Sequence, residues 1–108
     1  QVVFLDLMKI KNKPIGFIMY QIDSPESDWC QKDGLGFIRE VYIDKGSRKQ
    51  GLGKLLVAHA EQSLKDKNVE EIYLTSDDSG LFWIQCGYKI TDEIGYKNED
   101  PIYIKKIN

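Results

Sequence analysis

A short segment in the middle of the chain combines positive charge with glycine and leads into a helical pattern. From Asp44 to Lys54 it reads Asp-Lys-Gly-Ser-Arg-Lys-Gln-Gly-Leu-Gly-Lys. Gly51 and Gly53 let the backbone approach a bulky ligand, and the first N–H groups of the following helix have no acceptors inside it. The segment therefore predicts an anion site that suits a pyrophosphate. Its basic residues are Lys45, Arg48, Lys49 and Lys54.

Two common phosphate-binding motifs do not fit this segment. A Walker loop ends in Gly-Lys-Ser/Thr, but Lys54 is followed by Leu55. The dinucleotide fingerprint needs a third glycine where Leu56 stands. On spacing alone, the glycines are equally typical of a solvated turn that starts a helix, so a small domain with an incidental glycine turn stays an alternative.

The elements that must position the segment follow from the apolar pattern. Residues 52–67 have the three-to-four spacing of a helix with one buried stripe, at Leu52, Leu55, Leu56, Ala60 and Leu64. A second helix is predicted over Ser79–Cys86, ending at Gly87, which tolerates a left-handed conformation. The β-forming runs predict strands over 2–8, 14–22, 35–43, 70–75, 88–94 and 102–107.

This order of elements, β-β-β-α-β-α-β-β, predicts one α/β (α+β) domain over residues 1–108. Its sheet is expected to be mixed and mostly antiparallel, with one β-α-β crossover that places the long helix on one face. The turn-rich stretch Asp23–Gly34, which holds four acids, is predicted to be a solvated surface loop. His59 and Cys86 are predicted to be packed side chains rather than a base or a nucleophile.

Composition excludes several classes of protein. The 108 residues are 42% apolar and 30% charged, and no apolar run reaches the roughly 20 residues that cross a bilayer. A net charge of −2 is too balanced for the basic face that grips nucleic acid. Cys30 and Cys86 are far apart and there is one histidine, so we expect no transition-metal site and a reduced, cytoplasmic location. Gln1 leads straight into a strand-like run, so we expect further residues upstream; a homodimer stays open.

The run Val41–Gly53 resembles the acetyl-CoA signature of the GNAT superfamily of N-acetyltransferases, in which Arg/Gln-x-x-Gly-x-Gly/Ala opens a helix after a strand. Downstream, the aromatic pair Phe82 and Trp83, followed by Gly87 and Tyr88, is similar to the end of a later helix of that family. The resemblance implies a GNAT-like acyl-CoA N-acyltransferase fold. It begins at the second strand of the family, so the usual first strand and helix pair are missing.

The resemblance also implies a set of contacts with acetyl-CoA. The backbone of Val41 and Ile43 would pair with the pantetheine arm as with an added strand. Backbone N–H groups from Lys49 to Lys54 would hold the pyrophosphate, with Arg48 beside it. The implied binding residues are Val41, Ile43, Arg48, Lys49, Gln50, Gly51, Leu52, Gly53, Lys54, Ser79 and Phe82.

The implied reaction moves acetyl to a primary amine, on a small molecule or a peptide, by direct attack in a ternary complex. An alkyl ammonium with a pKa of about 10 must first lose a proton, and Glu40 is the candidate base because it directly precedes the pantetheine strand. That role requires burial, since a glutamate with the ordinary pKa of about 4.3 is a poor base, and a solvated strand residue is the alternative.

Trp83 stands where the family usually has a tyrosine that protonates the departing CoA thiolate. An indole N–H can donate a hydrogen bond but is not an acid. This departure, together with the missing front segment, keeps a second interpretation open, in which the chain is a CoA-binding sensor or assembly module with weak or no catalysis.

Overall fold

The computed structural model of the protein describes residues 2–78 and 80–108. One 3₁₀ turn covers Lys45–Ser47. The two helices are α1 (Leu52–Asp66) and α2 (Leu81–Gln85). The strands are β1 (Val3–Ile10), β2 (Lys13–Ile22), β3 (Gly36–Ile43), β4 (Glu71–Thr75), β5 (Lys89–Ile94) and β6 (Pro101–Lys106).

The strands form one sheet in the order β1-β2-β3-β4-β6-β5. Every neighbouring pair is antiparallel except β3 and β4, which α1 connects and which run parallel. The predicted fold class, including the single β-α-β crossover, is confirmed. α1 packs against β2 and β3 on one face of the sheet.

The predicted element boundaries need small corrections. β1 continues to Ile10, and the turn to β2 is Lys11–Asn12, whose φ angles of 51° and 66° suit a two-residue hairpin. α2 is shorter than the predicted 79–86. Gly87, with φ at 94°, ends the helical segment as predicted. Ser79 lies outside the described residues.

The buried stripe of α1 differs from the predicted one. Leu55 is 59% exposed and His59, one turn later on the same side, is also exposed. The prediction that His59 is packed is therefore wrong, since its Nε2 atom lies 2.9 Å from Oδ2 of Asp6 at the surface. Residues four apart share a helix face, so Leu55 and His59 lie together on the exposed side. Leu56, Ala60 and Leu64 are buried as predicted, and Val57 is buried although it was not predicted to be. The buried residues of α1 are Leu56, Val57, Ala60 and Leu64.

The stretch 23–34 is a surface loop, as predicted, and Glu26, Asp28 and Asp33 are exposed, but its fourth acid is not solvated. Asp23 is 1% exposed. Its carboxylate accepts backbone N–H bonds from Gln31 and Lys32, at 3.0 and 3.1 Å, and a hydrogen bond from the hydroxyl of Tyr73. A carboxylate satisfied in this way can be buried, so the loop folds back onto the sheet.

Trp29 anchors the same loop to the sheet face opposite α1. Its Nε1–H donates to the hydroxyl of Tyr73 over 2.9 Å, and its ring stacks on Phe37 with 5.2 Å between the centroids. Trp29, Phe37, Tyr73 and Ile102 form a second apolar cluster, separate from the core under α1. The sheet is thus covered on both faces at this end.

Two buried tyrosines predict a loss of stability in alkali. Burial, reinforced by Asp23, raises the pKa of Tyr73 above its ordinary value of 10.0, and burial with Glu61 does the same for Tyr88. Above about pH 10 the unfolded chain loses phenol protons that the folded chain keeps, so the free energy of unfolding should fall by roughly 1.4 kcal/mol per pH unit for each tyrosine. Urea denaturation from about pH 8 to about pH 11 measures this slope. Tyr73→Phe and Tyr88→Phe should each reduce the slope, and an unchanged slope in both variants would contradict the assignment.

Candidate functional site

The sheet splits between β3 and β4. Within the described part of the chain, these strands pair only where residues 36–37 meet residues 72–73, whereas β4 pairs along its whole length with β6. Arg39 is the extra residue of a β-bulge, because Met19 pairs with Glu40 and Tyr20 pairs with Ile38. A bulge bends its strand, and this one lies where β3 leaves β4.

Alternate residues of β3 point their backbone N–H and C=O groups toward this split. The N–H of Asp44 donates to the carbonyl of Ile15 over 2.6 Å. Backbone groups of successive residues point to alternate sides of an antiparallel strand, so Asp44 and Tyr42 bond toward β2. The N–H and C=O groups of Val41 and Ile43 therefore point to the split, where an extended chain could pair with them.

The start of α1 borders the other end of the split. Gly51, the residue before the helix, is left-handed with φ at 76°, and no side chain among residues 2–78 and 80–108 caps the helix start. The first helical hydrogen bond is donated by Leu55 to the carbonyl of Gly51, at 3.2 Å. The N–H groups of Leu52, Gly53 and Lys54 thus have no acceptor within the helix and carry its positive dipole end.

A cleft of about 590 Å³ joins these two features. Three lining residues were not predicted, namely Ser47, Asp78 and Gln85. The structure brings together most of the predicted site residues on its walls: Val41, Ile43, Arg48, Lys49, Gly51, Leu52, Gly53, Lys54, Phe82 and Trp83.

Three predicted residues are not brought together with the rest. Among the described residues, the cleft lining includes neither Gln50 nor Glu40, and Ser79 lies outside them. The side chain of Glu40 is exposed on β3 beside the bulge. The burial that its role as a base requires is therefore not provided by its surroundings in this structure.

Asp78 places a negative charge in the same cleft lining as Lys49 and Lys54. Its Oδ1 accepts a hydrogen bond from the backbone N–H of Gly80 at 2.7 Å and another from the hydroxyl of Ser76 at 2.9 Å. These bonds, the backbone one first, keep the pKa of Asp78 below its usual range, so the carboxylate is charged at neutral pH. The Asp-x-Gly spacing of such a turn was the sequence signal that could have indicated it.

Aromatic side chains form the wall on the side of α2. Phe82 and Trp83 meet edge to face at 4.9 Å, and Trp83 meets Tyr88 in the same manner at 5.6 Å. A Cβ atom at Gly53 would lie 3.1 Å from the Phe82 ring, so glycine lets the start of α1 approach this wall. Tyr88 is buried and donates to Oε2 of Glu61 at 2.8 Å.

Cys86 packs against the core, as predicted. Burial, with a smaller contribution from Glu61, raises the pKa of its thiol. A raised pKa disfavours the thiolate that a nucleophile needs.

Arg48 is tied to the end of β3. Its Nε donates to the carbonyl of Ile43 over 2.7 Å, and its guanidinium carbon lies 5.4 Å from the centre of the Tyr42 ring. The side chain is therefore held between the loop and the strand, and it occupies one of the backbone acceptors at the split.

The fold is shared with solved N-acetyltransferase structures. The PaiA N-acetyltransferase from Thermoplasma acidophilum in complex with coenzyme A superposes with a TM-score of 0.77 at 21% identity, over 96% of this chain and 60% of that one. N-acetylglutamate synthase from Neisseria gonorrhoeae, complexed with coenzyme A and N-acetyl-glutamate, gives 0.78 at 14% identity, over 96% and 26%. An aminoglycoside 6′-N-acetyltransferase complexed with coenzyme A gives 0.78 at 17%, over 98% and 73%. The chain thus spans 60% of the length of the first of these proteins.

Comparison of the sequence with family profiles identifies the family of the chain. The profile of the acetyltransferase (GNAT) family matches residues 2–88. The chain belongs to this family, and the resemblance on which the sequence-based assignment rests is confirmed. No curated protein matches the chain in sequence. Of the two helices in the described residues, neither combines the length and the apolar character that crossing a membrane requires.

Proposed function

We propose that the chain binds acetyl-CoA in the cleft and transfers the acetyl group to a primary amine. The observation that carries the proposal is the placement of an open strand edge, at the backbone groups of Val41 and the N–H of Ile43, beside the uncapped start of α1 in one cleft. An extended arm with amide groups, joined to a pyrophosphate, has the chemistry to satisfy both. The coenzyme A complexes of three solved structures with this fold support the proposal.

The binding contacts divide into directed and long-range ones. The N–H groups of residues 52–54 donate to the pyrophosphate, and the dipole of α1 favours its charge. Lys49 and Lys54 add positive charge at the rim, where solvent screens it. The backbone therefore supplies more of the directed binding than the side chains do.

The transfer itself needs an uncharged acceptor. The ammonium gives a proton to a base or to water, and its nitrogen then attacks the thioester carbonyl, so that a C–N bond forms. The C–S bond breaks, the thiolate leaves with the electron pair, and the attacking nitrogen gives up its second proton to the thiolate or to water, which leaves a neutral amide. The CoA thiol has a pKa of about 8.5, so the thiolate is a tolerable leaving group near neutral pH. Trp83 lines the cleft, and its indole N–H is proposed to donate a hydrogen bond to the leaving thiolate.

Glu40 is proposed to take the acceptor's proton by way of water. Because its carboxylate is exposed, we expect Glu40→Gln to lower kcat by about tenfold, less than the hundredfold or more of a well-positioned base. Steady-state rates at several pH values measure this. A kcat equal to that of the unaltered protein at every pH would remove Glu40 from the mechanism.

A CoA-binding module with weak or no catalysis is the second candidate. It is favoured by the indole at the position of the usual acid and by the placement of Glu40 outside the cleft lining. The two candidates differ in whether CoA is released as a free thiol.

Two measurements on the same preparation test the proposal. Calorimetric titration with CoA reports binding, and a thiol-release assay with acetyl-CoA and a panel of primary amines reports transfer. Amine-dependent thiol release supports the enzyme. Saturable binding without release supports the module, and the absence of heat with CoA at several temperatures contradicts both.

A further inference from the structure

We propose that Arg48 acts as a positioning residue through the N–H of its Nε, which fixes the loop to the Ile43 carbonyl, and not through its positive charge on a phosphate. The inference rests on the proposed function, because its effect is read in coenzyme binding. It assigns to one side chain the task of aligning the two halves of the cleft.

The geometry that supports this begins at the strand edge. The Nε–H of Arg48 donates to the Ile43 carbonyl at 2.7 Å, the short distance typical of a charge-assisted hydrogen bond. Ile43 packs in the core under α1, so Tyr42, the residue before it, faces the other side of the sheet, where it stacks on Phe17 at 5.8 Å. The guanidinium lies over Tyr42, so the Arg48 side chain crosses the open edge of β3 at Ile43.

This crossing limits how an extended arm can pair with β3. The carbonyl of Ile43 is already an acceptor for Arg48. Both backbone groups of Val41 and the N–H of Ile43 still point to the split. The arm should therefore pair from Ile43 N–H toward Val41, in one register.

The same bond sets the distance between strand and helix. Arg48 precedes Gly51 and α1 by a few residues, so tying it to β3 holds the unpaired N–H groups of the helix start at a fixed separation from Val41. A ligand that spans both features binds well only when that separation matches its own length.

Side-chain chemistry distinguishes a hydrogen-bond donor that positions the loop from a positive charge that acts on a phosphate. In arginine the Nε atom is bonded to Cδ, and in glutamine the Nε2 donor is bonded to the same carbon, so both reach the same distance with an N–H. Lysine has a methylene group at that point and carries its charge one atom further.

The positioning role and the charge role predict opposite orders of CoA affinity for Arg48→Gln and Arg48→Lys. If the N–H positions the loop, Arg48→Gln should keep its CoA dissociation constant within about threefold, and Arg48→Lys should weaken binding by about tenfold because a hydrogen bond from a charged donor is lost. Calorimetric titration with CoA at constant salt measures both. A reversed order, or equal affinities, would overturn the inference.

Salt dependence gives an independent readout, because salt screens a charge that acts on a phosphate much more than a hydrogen bond that fixes the loop. The CoA dissociation constant of Arg48→Gln should stay within about threefold of that of the unaltered protein at both low and high salt. A loss of CoA affinity in Arg48→Gln that is large at low salt and disappears at high salt would show a phosphate contact and overturn the inference. If Arg48→Lys does not fold, a tenfold loss of CoA affinity in Arg48→Gln would overturn it as well, and retained affinity at both low and high salt would support it.

Failure of the inference and failure of the proposed function are distinguishable. An unaltered protein that binds no CoA contradicts the proposed function, whatever the variants do. An unaltered protein that binds CoA while Arg48→Lys binds equally well contradicts only the role of Arg48.

Discussion

Replacement of Gly80 by alanine is expected to lower the free energy of unfolding by about 3 kcal/mol, from strain and overpacking together. Gly80 precedes α2 with φ at 72°, a conformation that L side chains rarely adopt. A Cβ atom there would lie 2.0 Å from the hydroxyl oxygen of Tyr103 and 2.5 Å from its Cζ. Tyr103 is buried, so its ring cannot move aside without disturbing the core.

Urea denaturation of two companion variants provides the control. Gly46→Ala should leave stability within about 0.5 kcal/mol, since a Cβ at Gly46 meets no described atom within 4 Å. Adding Tyr103→Phe to Gly80→Ala should recover part of the loss, because it removes the oxygen but keeps the ring carbons. Equal stability of Gly80→Ala and Gly46→Ala would show that the start of α2 adapts freely.

Replacement of Gly51 by valine is expected to weaken CoA binding by about 30-fold, whereas Lys49→Ala should weaken it by about threefold. Gly51 has φ at 76°, and a Cβ there meets no described atom within 4 Å, so the cost is conformational rather than steric. A β-branched residue leaves this conformation and turns the helix-start N–H groups away from the ligand. Lys49 contributes a solvent-screened charge, which is worth little.

Calorimetric dissociation constants for CoA show whether the backbone N–H groups at the helix start or the Lys49 side chain contributes more to binding. Gly46→Val, in the same loop but away from the cleft lining, serves as the matched control and should bind within about threefold of the unaltered protein. Equal dissociation constants for Gly51→Val and Lys49→Ala would count against a backbone cradle for the pyrophosphate.

The parts of the fold that could be predicted from the sequence are those determined by residues close together in the chain. The helix over 52–66 follows from apolar spacing, and Gly87 ends the second helical segment because glycine tolerates positive φ. The loop before α1 is contiguous in sequence, so its glycines and lysines could be predicted to form one site without knowledge of tertiary contacts.

The parts that sequence missed depend on distant partners. Asp23 is polar, and its burial follows from Tyr73, which lies fifty residues later in the chain. Asp78 and Gln85 line the cleft together with residues of β3 and of the start of α1, which lie far earlier in the chain. Glu40 lies outside the cleft lining and next to the bulge at Arg39, and bulges leave no clear mark in residue type.

The divergence of β3 from β4 makes the sheet an incomplete scaffold. The halves on either side are joined by the short parallel pairing and by α1. An extended ligand whose amide groups replace the missing strand pairing would therefore connect the two parts of the sheet. Its binding would then stabilise the whole folded domain, so that saturation with such a ligand would raise the melting temperature.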